Sequence, residues 1–361
     1  MKGAVVSFSA ADERFMRRAL ALAEKGRGTT RPNPVVGAVV VRDGRIIGEG
    51  FHKRAGEPHA EINALNALGG GPGAAHGATL YVTLEPCCHV GRTGPCTAAV
   101  VASKLARVVV GCGDPNPLVD GGGIARLRRA GVQVDVGCLE HECHEAIRAY
   151  AVWISEQRPL VTLKAAATLD GVIADGSRRK ARKPVWITGE PARQAAHELR
   201  AAHDAVLVGA GTVRADDPRL TVRVAGKKRR AAEQPLRVVL AGRRALPRRS
   251  HVLDAAAPSL VLRPGSGPGG LRRALATLAR NGVQSLLVEG GAKIHGAFIA
   301  AGLVDRVALF VAPRLAGGGV PVATGAGLSL ENALRLGPLT VRTVGEDLLI
   351  TGDVLQAKHL R

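Results

Sequence analysis

Three side chains that can bind zinc stand in two short segments of the first half of the chain. His59 begins the segment H-A-E, and Cys87 and Cys96 lie within E-P-C-C-H-V-G-R-T-G-P-C. Zinc takes imidazole nitrogen and thiolate sulfur, and a catalytic zinc keeps an open position beside three protein ligands. These three residues therefore predict a catalytic zinc site whose bound water ionises near neutral pH.

Glu61 stands two residues after His59, at the start of the same predicted helix. Its carboxylate could take a proton from the water without binding the metal, and pass it to the ring nitrogen and the leaving amine. Zinc-dependent nucleobase deaminases divide the work in this way. The alternative is a structural zinc with four closed ligands, the fourth being Cys88 or His89. We favour the catalytic site, because a structural zinc would leave Glu61 without a role.

Alternating strands and helices surround the two zinc-binding segments. Ser9 followed by Asp12 predicts the start of a first helix, and both ligand segments are predicted to begin helices, whose N-termini favour a thiolate. An α/β layered domain follows from the alternation. Strands are predicted over 35–41, 45–49, 79–84, 107–112 and 132–136, and helices over 59–68, 96–103, 124–130 and 140–153.

A second α/β pattern begins after a linker at 156–159. The segment V-E-G-G, which ends at Gly291, joins a strand to a helix, and backbone amides at a helix N-terminus bind phosphate. It is not G-x-G-x-x-G, so no Rossmann domain is inferred. We predict two domains, 9–153 and 159–356. The second has strands over 160–165, 205–208, 237–240, 259–262, 285–289 and 307–312, helices over 191–200, 271–280 and 293–301, a flexible connector at 265–270 and two paired strands within 339–354.

Composition narrows the class of protein. The chain of 361 residues carries a net charge of +20, but aromatic residues make up only 2%, and binding of single-stranded nucleic acid relies on aromatic stacking. We therefore expect a basic surface with pockets for phosphorylated small molecules, and no nucleic acid. No long apolar run or signal peptide is evident, which favours a cytoplasmic protein without a membrane span. We expect Cys112, Cys138 and Cys143 to be ordinary buried thiols.

Longer segments resemble a known family. T-R-P-N-P-V-V-G-A-V-V at 30–40, G-E-G-F-H-K-R-A-G-E-P-H-A-E at 48–61 and the segment at 84–96 resemble the deaminase half of the bifunctional riboflavin-biosynthesis deaminase/reductase. K-A-A-A-T-L-D-G at 164–171, G-T-V-R-A-D-D-P-R-L-T-V-R at 211–223 and V-E-G-G resemble its reductase half. The resemblance covers nearly the whole chain. It implies a cytidine-deaminase-like three-layer domain followed by a dihydrofolate-reductase-like α/β domain.

The resemblance also implies two reactions and their binding residues. The first is zinc-dependent hydrolytic deamination of 2,5-diamino-6-ribosylamino-4(3H)-pyrimidinone 5′-phosphate, and the second is NADPH-dependent reduction of the ribosyl chain to ribityl. We also expect a homo-oligomer. The implied contacts of the deaminase substrate are Asn33, His52, His89 and Arg92. Asn33 offers a donor and an acceptor to the ring edge, and Arg92 can form paired hydrogen bonds with a phosphate.

For the reductase half the resemblance implies two sets of contacts. Lys164 and Asp216 are also candidates for proton transfer or positioning. The implied contacts of NADPH are Ala166, Trp186, Thr212, Asp216, Gly291, Ala292, Lys293, Ile294, His295, Gly296 and Ala297. The implied contacts of the reductase substrate are Lys164, Arg200, Leu220, Arg223 and Glu289.

The chain departs from the family pattern mainly in the reductase half. It carries a basic insert at Arg178–Lys183, Pro184 where the family has serine, and Ala241-Gly242 in place of Asp-Ser. Two rival hypotheses are a nucleoside or nucleic-acid deaminase with an inactive or binding-only second domain, and a non-catalytic binding protein. The intact set of His59, Glu61 and two cysteines argues against the second.

Overall fold

The computed structural model describes residues 7–89, 94–175, 185–223, 230–265, 267–325 and 327–355. The chain divides between Glu156 and Gln157 into two compact units, which are described separately. Within these ranges no helix has both the length and the apolar character needed to cross a bilayer.

The first unit is built on a five-stranded sheet with the order β2-β1-β3-β4-β5. β1 pairs antiparallel with β2 and β3, whereas β3, β4 and β5 run parallel. The strands are β1 (Gly37–Arg42), β2 (Arg45–Phe51), β3 (Thr79–Leu84), β4 (Arg107–Cys112) and β5 (Gln133–Val136), and the helices are α1 (Ala10–Ala23), α2 (Ala60–Asn66), α3 (Cys96–Ala102), α4 (Gly122–Arg129) and α5 (Glu140–Glu156).

Helices cover both faces of this sheet, so the unit has three layers. Successive residues of a strand point to opposite faces, and neighbours in β1 accordingly join different cores. Val40 packs with residues of α2, α3 and α4, whereas Val39 packs with residues of α1 and α5. Cys112, Cys138 and Cys143 are buried in the second of these cores, as predicted.

The start of α1 is held by a buried network of polar side chains. Ser9 and Asp12 form the predicted capping box. Asp12 Oδ1 also accepts hydrogen bonds from the Tyr81 hydroxyl at 2.8 Å and from Arg107 Nη1 at 2.6 Å. Although burial opposes the shift, the hydrogen bond from Arg107 and those from Ser9 hold the pKa of Asp12 well below its usual range.

The second unit contains an eight-stranded sheet with the order β10-β9-β8-β11-β6-β12-β15-β14. The strands from β10 to β12 in this order run parallel, and β15 and β14 continue the sheet antiparallel. Its elements are β6 (Leu160–Thr168), β7 (Val172–Ala174), α6 (Glu190–Ala202), β8 (Ala205–Gly209), α7 (Ala210–Asp216), β9 (Leu236–Leu240), β10 (Ser259–Leu262), α8 (Gly267–Arg280), β11 (Ser285–Val288), α9 (Ala292–Ala300), β12 (Arg306–Ala312), β13 (Val320–Pro321), β14 (Thr340–Val344) and β15 (Asp347–Asp353).

Both faces of the second sheet are covered as well. Leu207 packs with residues of α8 and α9, whereas its neighbour Val206 packs with residues of α7 and the segment after it. Such double burial is typical of parallel strands, which need coverage on both faces.

A fully buried arginine fixes the loops at one end of this sheet. Arg237, on β9, donates to the backbone oxygens of His251 at 2.8 Å and of Asp254 and Ala257 at 2.6 Å each. It also reaches the carbonyl of Arg219 at 3.4 Å. The guanidinium thereby ties the segment that leads to Arg223 to the loop that follows His251.

One local prediction is wrong in part, and two features of the second unit were missed. The connector predicted at 265–270 is wrong in part, because α8 begins at Gly267 and its apolar stripe, which includes Leu271, packs into the core. The short helix α7 and the small sheet of β7 and β13 were not predicted. The basic insert Arg178–Lys183, Pro184 and Gln356 at the predicted end of the second domain lie outside the described residues.

Candidate active sites

The three predicted zinc ligands meet in the first unit. His59 Nδ1 lies 3.2 Å from Cys96 Sγ and 3.6 Å from Cys87 Sγ. One ligand atom from each residue lies within 4.8 Å of the other two, and no other such cluster occurs in the described ranges. Bonds of about 2.0–2.3 Å from zinc to nitrogen and sulfur place tetrahedral ligand atoms at such separations. The donor set and spacing therefore fit zinc.

Helix starts and close packing position these ligands. His59 is the N-cap of α2, and Cys96 is the first residue of α3. A Cβ at Gly50 on β2 would lie 2.4 Å from the Ala60 carbonyl, so only glycine lets α2 approach the sheet so closely. The Cys96 N–H points to Cys87 Sγ at 3.3 Å. Hydrogen bonds from Cys96 and His59 lower the pKa of the Cys87 thiol, which favours the thiolate that zinc requires.

Glu61 is buried beside the ligand cluster, with 3% of its surface exposed. Burial raises the pKa of its carboxyl group to about 7. A carboxyl group with such a pKa can hold and release a proton near neutral pH, as a general acid or base must.

Two of the predicted ring contacts are hydrogen-bonded to each other. Asn33 Nδ2 lies 3.0 Å from His52 Nε2, and His52 Nδ1 lies 3.2 Å from the Pro58 carbonyl. The carbonyl can only accept, so His52 Nδ1 carries the hydrogen and Nε2 accepts from Asn33. Burial lowers the pKa of His52, which favours this neutral form. The pair fixes the orientation of the Asn33 amide and leaves its carbonyl oxygen as an acceptor.

Asn33 and His52 line one cavity of about 260 Å³ together with His59, Glu61, Cys87 and His89. His89 Nδ1 is buried and has no hydrogen-bond partner within the described part of the chain. Arg92, the fourth predicted substrate contact, lies outside the described residues. Sequence reasoning missed Asp114, Asn116 and Tyr150, which also line the cavity. They follow the end of β4 or lie on α5, and no local motif marks them.

Glu85 was also missed, although it stands in the quoted E-P-C segment. Its buried carboxylate accepts backbone N–H groups from Gly121 at 3.0 Å, Gly123 at 2.9 Å and Ile124 at 3.0 Å. It therefore caps the start of α4 and holds the loop that carries Asp114 and Asn116. Only the acidic residue type preceding Pro86 could have suggested it.

In the second unit, buried charges gather where β6 and β11 lie side by side. Arg200 on α6 binds Glu289 through Nε at 2.5 Å and Nη2 at 2.9 Å. Lys164 Nζ lies 3.6 Å from the same carboxylate. Although burial opposes the shift, Arg200 and Lys164 lower the pKa of Glu289 to about 2. Three of the five predicted substrate contacts therefore form one cluster.

Two cavities meet at Lys164 and Ala166. One, of about 250 Å³, is lined by predicted cofactor contacts at the ends of β8 and β11. At this end, Gly291 is the N-cap of α9 and, as a glycine, has no side chain to accept from the N–H groups of the first turn. The N-terminus of α9 can therefore bind an anion such as a phosphate of NADPH. The predicted contacts in this cavity are Ala166, Thr212, Asp216, Gly291, Ala292 and His295, and Glu289 lines it as well.

The other cavity, of about 490 Å³, contains Arg200 and Arg223. Trp186, a predicted cofactor contact, lines this cavity instead of the smaller one, and its ring stacks on Arg193 at 5.0 Å. A cofactor and a substrate bound side by side at Lys164 and Ala166 would fit this arrangement.

Five predicted contacts line neither cavity. Leu220 is a buried core residue with a positive φ of 53°, and Ile294 packs on Gly209 and Gly290. A Cβ at Gly296 would collide with the Thr324 carbonyl, so Gly296 serves close packing of α9. Lys293 and Ala297 are exposed on the same helix. The segment 291–297 forms the start of α9, as the predicted helix over 293–301 requires, and one face of it borders the cavity.

Two family models match the chain. Residues 9–112 match the cytidine and deoxycytidylate deaminase zinc-binding region, and residues 159–350 match the RibD C-terminal domain. These matches favour the two-domain enzyme over a nucleoside or nucleic-acid deaminase with a binding-only second domain.

Similar proteins cover nearly the whole chain. The riboflavin biosynthesis protein RibD of Aquifex aeolicus is 41% identical over 94% of this chain and 97% of its own length. RibD of Mycobacterium tuberculosis strain H37Rv is 42% identical over 90% of this chain and 92% of its own. The crystal structure of the diaminohydroxyphosphoribosylaminopyrimidine deaminase/5-amino-6-(5-phosphoribosylamino)uracil reductase of Thermotoga maritima has a TM-score of 0.84 and 36% identity, covering 96% of this chain and 99% of that one.

The predicted fold class, cofactors and family are thus confirmed, and the chain belongs to the RibD family of bifunctional riboflavin-biosynthesis enzymes, which combine a zinc-dependent deaminase with an NADPH-dependent reductase.

Proposed function

We propose that the first unit hydrolyses the 2-amino group of 2,5-diamino-6-ribosylamino-4(3H)-pyrimidinone 5′-phosphate, releasing ammonia. The second unit then reduces the ribosyl chain of the resulting uracil to ribityl. The observation that carries the proposal is the burial of Glu61 beside a clustered His59, Cys87 and Cys96. The Thermotoga maritima protein is named for the same pair of activities.

In the deaminase, each buried polar group has a defined task. Zinc, held by the imidazole and the two thiolates, supplies the Lewis acidity that makes water nucleophilic near neutral pH. Glu61 takes a proton from the attacking water and delivers it to the ring nitrogen, and a second proton follows to the leaving amine. Asn33, fixed by His52, pairs with the pyrimidinone edge. We assign Asp114 and Asn116 to the ribosyl arm, and Arg92 to the phosphate.

In the reductase, the buried charges would handle the proton that accompanies the reduction. NADPH supplies the hydride. Opening the ribosyl ring to a chain needs a proton on the ring oxygen, and the ammonium of Lys164 can donate it from its position beside Glu289. Arg200 keeps Glu289 ionised, so that the carboxylate holds the ammonium in place.

The decisive experiment follows ammonia and NADPH in one reaction. The full chain is mixed with the diaminopyrimidine phosphate and NADPH. We expect ammonia release followed by loss of absorbance at the NADPH band. Glu61→Gln should retain zinc yet release no ammonia, whereas Glu57→Gln, at an exposed glutamate of the same segment, should behave as wild type. Adding the deaminated uracil to Glu61→Gln should restore NADPH oxidation; ammonia release at the wild-type rate by Glu61→Gln would refute the proposal.

Three broader properties belong to the same proposal. A thiolate metal site suits the reducing cytoplasm, where we place the enzyme. We also propose a homo-oligomer that does not bind nucleic acid, consistent with 2% aromatic residues despite the charge of +20. Light scattering of the full chain and a mobility assay with RNA at physiological salt test these two statements.

We propose the domain limits 9–153 and 159–356. The division of the chain between Glu156 and Gln157 supports them, because it falls within the predicted linker. Limited proteolysis should cut first in this linker, and mass spectrometry of the fragments locates the cut.

A further inference from the structure

His197 on α6 lies in the 490 Å³ cavity between two arginines. Its Nδ1 faces the backbone N–H of Arg223 at 3.3 Å and Arg200 Nη1 at 3.5 Å. Both neighbours are donors without a lone pair, so Nδ1 must be the acceptor. In the neutral ring the hydrogen therefore sits on Nε2.

The ring is neutral at physiological pH. Burial, then the charges of Arg200 and Arg223, lower the pKa of His197 to about 4, and the charge of Glu289 and a hydrogen bond with the Thr221 carbonyl only partly oppose them. An added proton would stand between two guanidinium groups, which explains the direction of the shift.

The Nε2 atom of His197 faces a second donor. Arg223 Nη2 lies 3.4 Å from Nε2, and two N–H groups facing each other cannot form a hydrogen bond. The Thr221 carbonyl accepts from Arg200 Nη1 at 3.3 Å and from the His197 ring as well, since a carbonyl oxygen has two lone pairs. An oxyanion placed beside both donors would satisfy them together, and hydrogen bonds of this charged kind are the strong ones.

Arg200 is poorly suited to bind that anion. Its Nε and Nη2 are held by Glu289, and its Nη1 faces Thr221 and His197. Arg223 is more exposed, and no carboxylate among the described residues forms an ion pair with it. The anion-binding group is therefore Arg223 with the neighbouring imidazole.

We propose that His197 is a further substrate-binding residue of the reductase half, whose Nε2–H joins Arg223 in binding the phosphate group of the phosphorylated sugar. This assignment rests on the proposed function, because it takes the 490 Å³ cavity as the site of that substrate. Its ligand chemistry is a sugar phosphate dianion.

Two substitutions by amide side chains distinguish the roles of the two ring nitrogens of His197. His197→Gln places an N–H₂ group near the position of Nε2, whereas His197→Asn retains an acceptor near Nδ1 but has no donor at Nε2. The full chain is assayed for NADPH oxidation with the deaminated uracil, in its 5′-phosphate form and as the 5′-hydroxyl analogue. Unfolding midpoints confirm that both variants fold.

We expect His197→Asn to raise KM for the phosphate form by about 10-fold or more with kcat within about twofold, as expected for a lost hydrogen bond to a charged group. His197→Gln should stay closer to wild type, and the variants should match wild type on the 5′-hydroxyl analogue. The opposite order, with Asn normal and Gln impaired, would show that the ring only supports the Arg223 backbone. Equal losses on both substrates would also overturn the assignment, in favour of a packing role.

A direct measurement does not depend on the variants. Nitrogen NMR of the histidine rings in the wild-type chain should show His197 protonated at Nε2 alone, with a shift of that resonance on adding inorganic phosphate. A hydrogen at Nδ1, or no response to phosphate, would overturn the inference. NADPH oxidation with neither form of the substrate would overturn the proposed function, which distinguishes its failure from the failure of this inference.

Discussion

Arg200 and Glu289 form a bidentate ion pair in which both side chains are nearly buried, with 15% and 8% of their side-chain surfaces exposed. The pair joins α6 to the end of β11, and Lys164 on β6 faces the same carboxylate. It thus links three elements of the second unit at the place where its two cavities meet.

Substitution of Arg200 by glutamine should destabilise the second unit. Removing one partner of a buried ion pair costs about 3–5 kcal/mol, because the other charge stays buried without compensation. Calorimetry of the full chain should show a lower unfolding temperature for that unit. Arg230→Gln removes an exposed pair with Glu233 and should cost less than about 1 kcal/mol. Similar losses in the two variants would contradict the ion-pair interpretation.

The same pair should make the second unit sensitive to acid. Because the folded pKa of Glu289, about 2, lies below its unfolded value near 4.5, the carboxylate stabilises the fold fully above the unfolded value. This contribution is lost as the pH falls from about 4.5 towards 2. Stability measured by urea titration across this range should fall less steeply for Glu289→Gln than for the wild type. Equal slopes would show that Glu289 is not the titrating group.

Asp12→Asn should destabilise the first unit without touching its cavity. Asp12 is 6% exposed, and its carboxylate accepts hydrogen bonds from Tyr81, Arg107 and Ser9. An amide at this position has no charge and one acceptor oxygen, so it can replace only some of these hydrogen bonds. We expect a loss of about 3 kcal/mol in unfolding free energy, typical of a broken buried charge network. Glu13→Gln, at the next position of α1, where the side chain is 40% exposed, serves as the control and should change stability by less than about 0.5 kcal/mol.

Glu85→Gln should weaken deamination while retaining zinc. An amide group has one acceptor oxygen and brings its own donors, so it cannot accept all of the N–H groups at 121–124. We expect faster hydrogen exchange at 114–124 and a KM for the diaminopyrimidine raised about 10-fold. Asp120→Asn, in the same loop but exposed, should leave both quantities unchanged. Loss of zinc from Glu85→Gln would show that the residue supports the metal site instead.

Cysteine variants decide between three and four zinc ligands. Cys87→Ser should lose both zinc, measured by elemental analysis, and ammonia release, because a serine hydroxyl is a poor zinc ligand. NADPH oxidation with the deaminated uracil should persist. Cys88→Ser should keep one zinc per chain and its ammonia release. A zinc-free Cys88→Ser would revive the closed structural site considered from the sequence.

The parts that sequence reasoning predicted are those encoded locally. The ligands and Glu61 stand at fixed spacings on helix starts, and the strand and helix periods are clear around them. Asp114, Asn116 and Glu85 were missed because their role arises only when the end of β3 meets the loop after β4. The core position of Leu220 depends likewise on packing across the sheet, which spacing in the sequence does not reveal.

One carboxylate connects the metal-binding segment of the deaminase cavity with the loop on its other side. Glu85 directly precedes the segment that carries Cys87, and it grips the turn that begins α4. Redesigning 114–119 to change the substrate range would therefore also shift Glu85, which lies next to the metal ligands. Variants selected for new pyrimidines should keep position 85 fixed and remodel only the outer side of that loop.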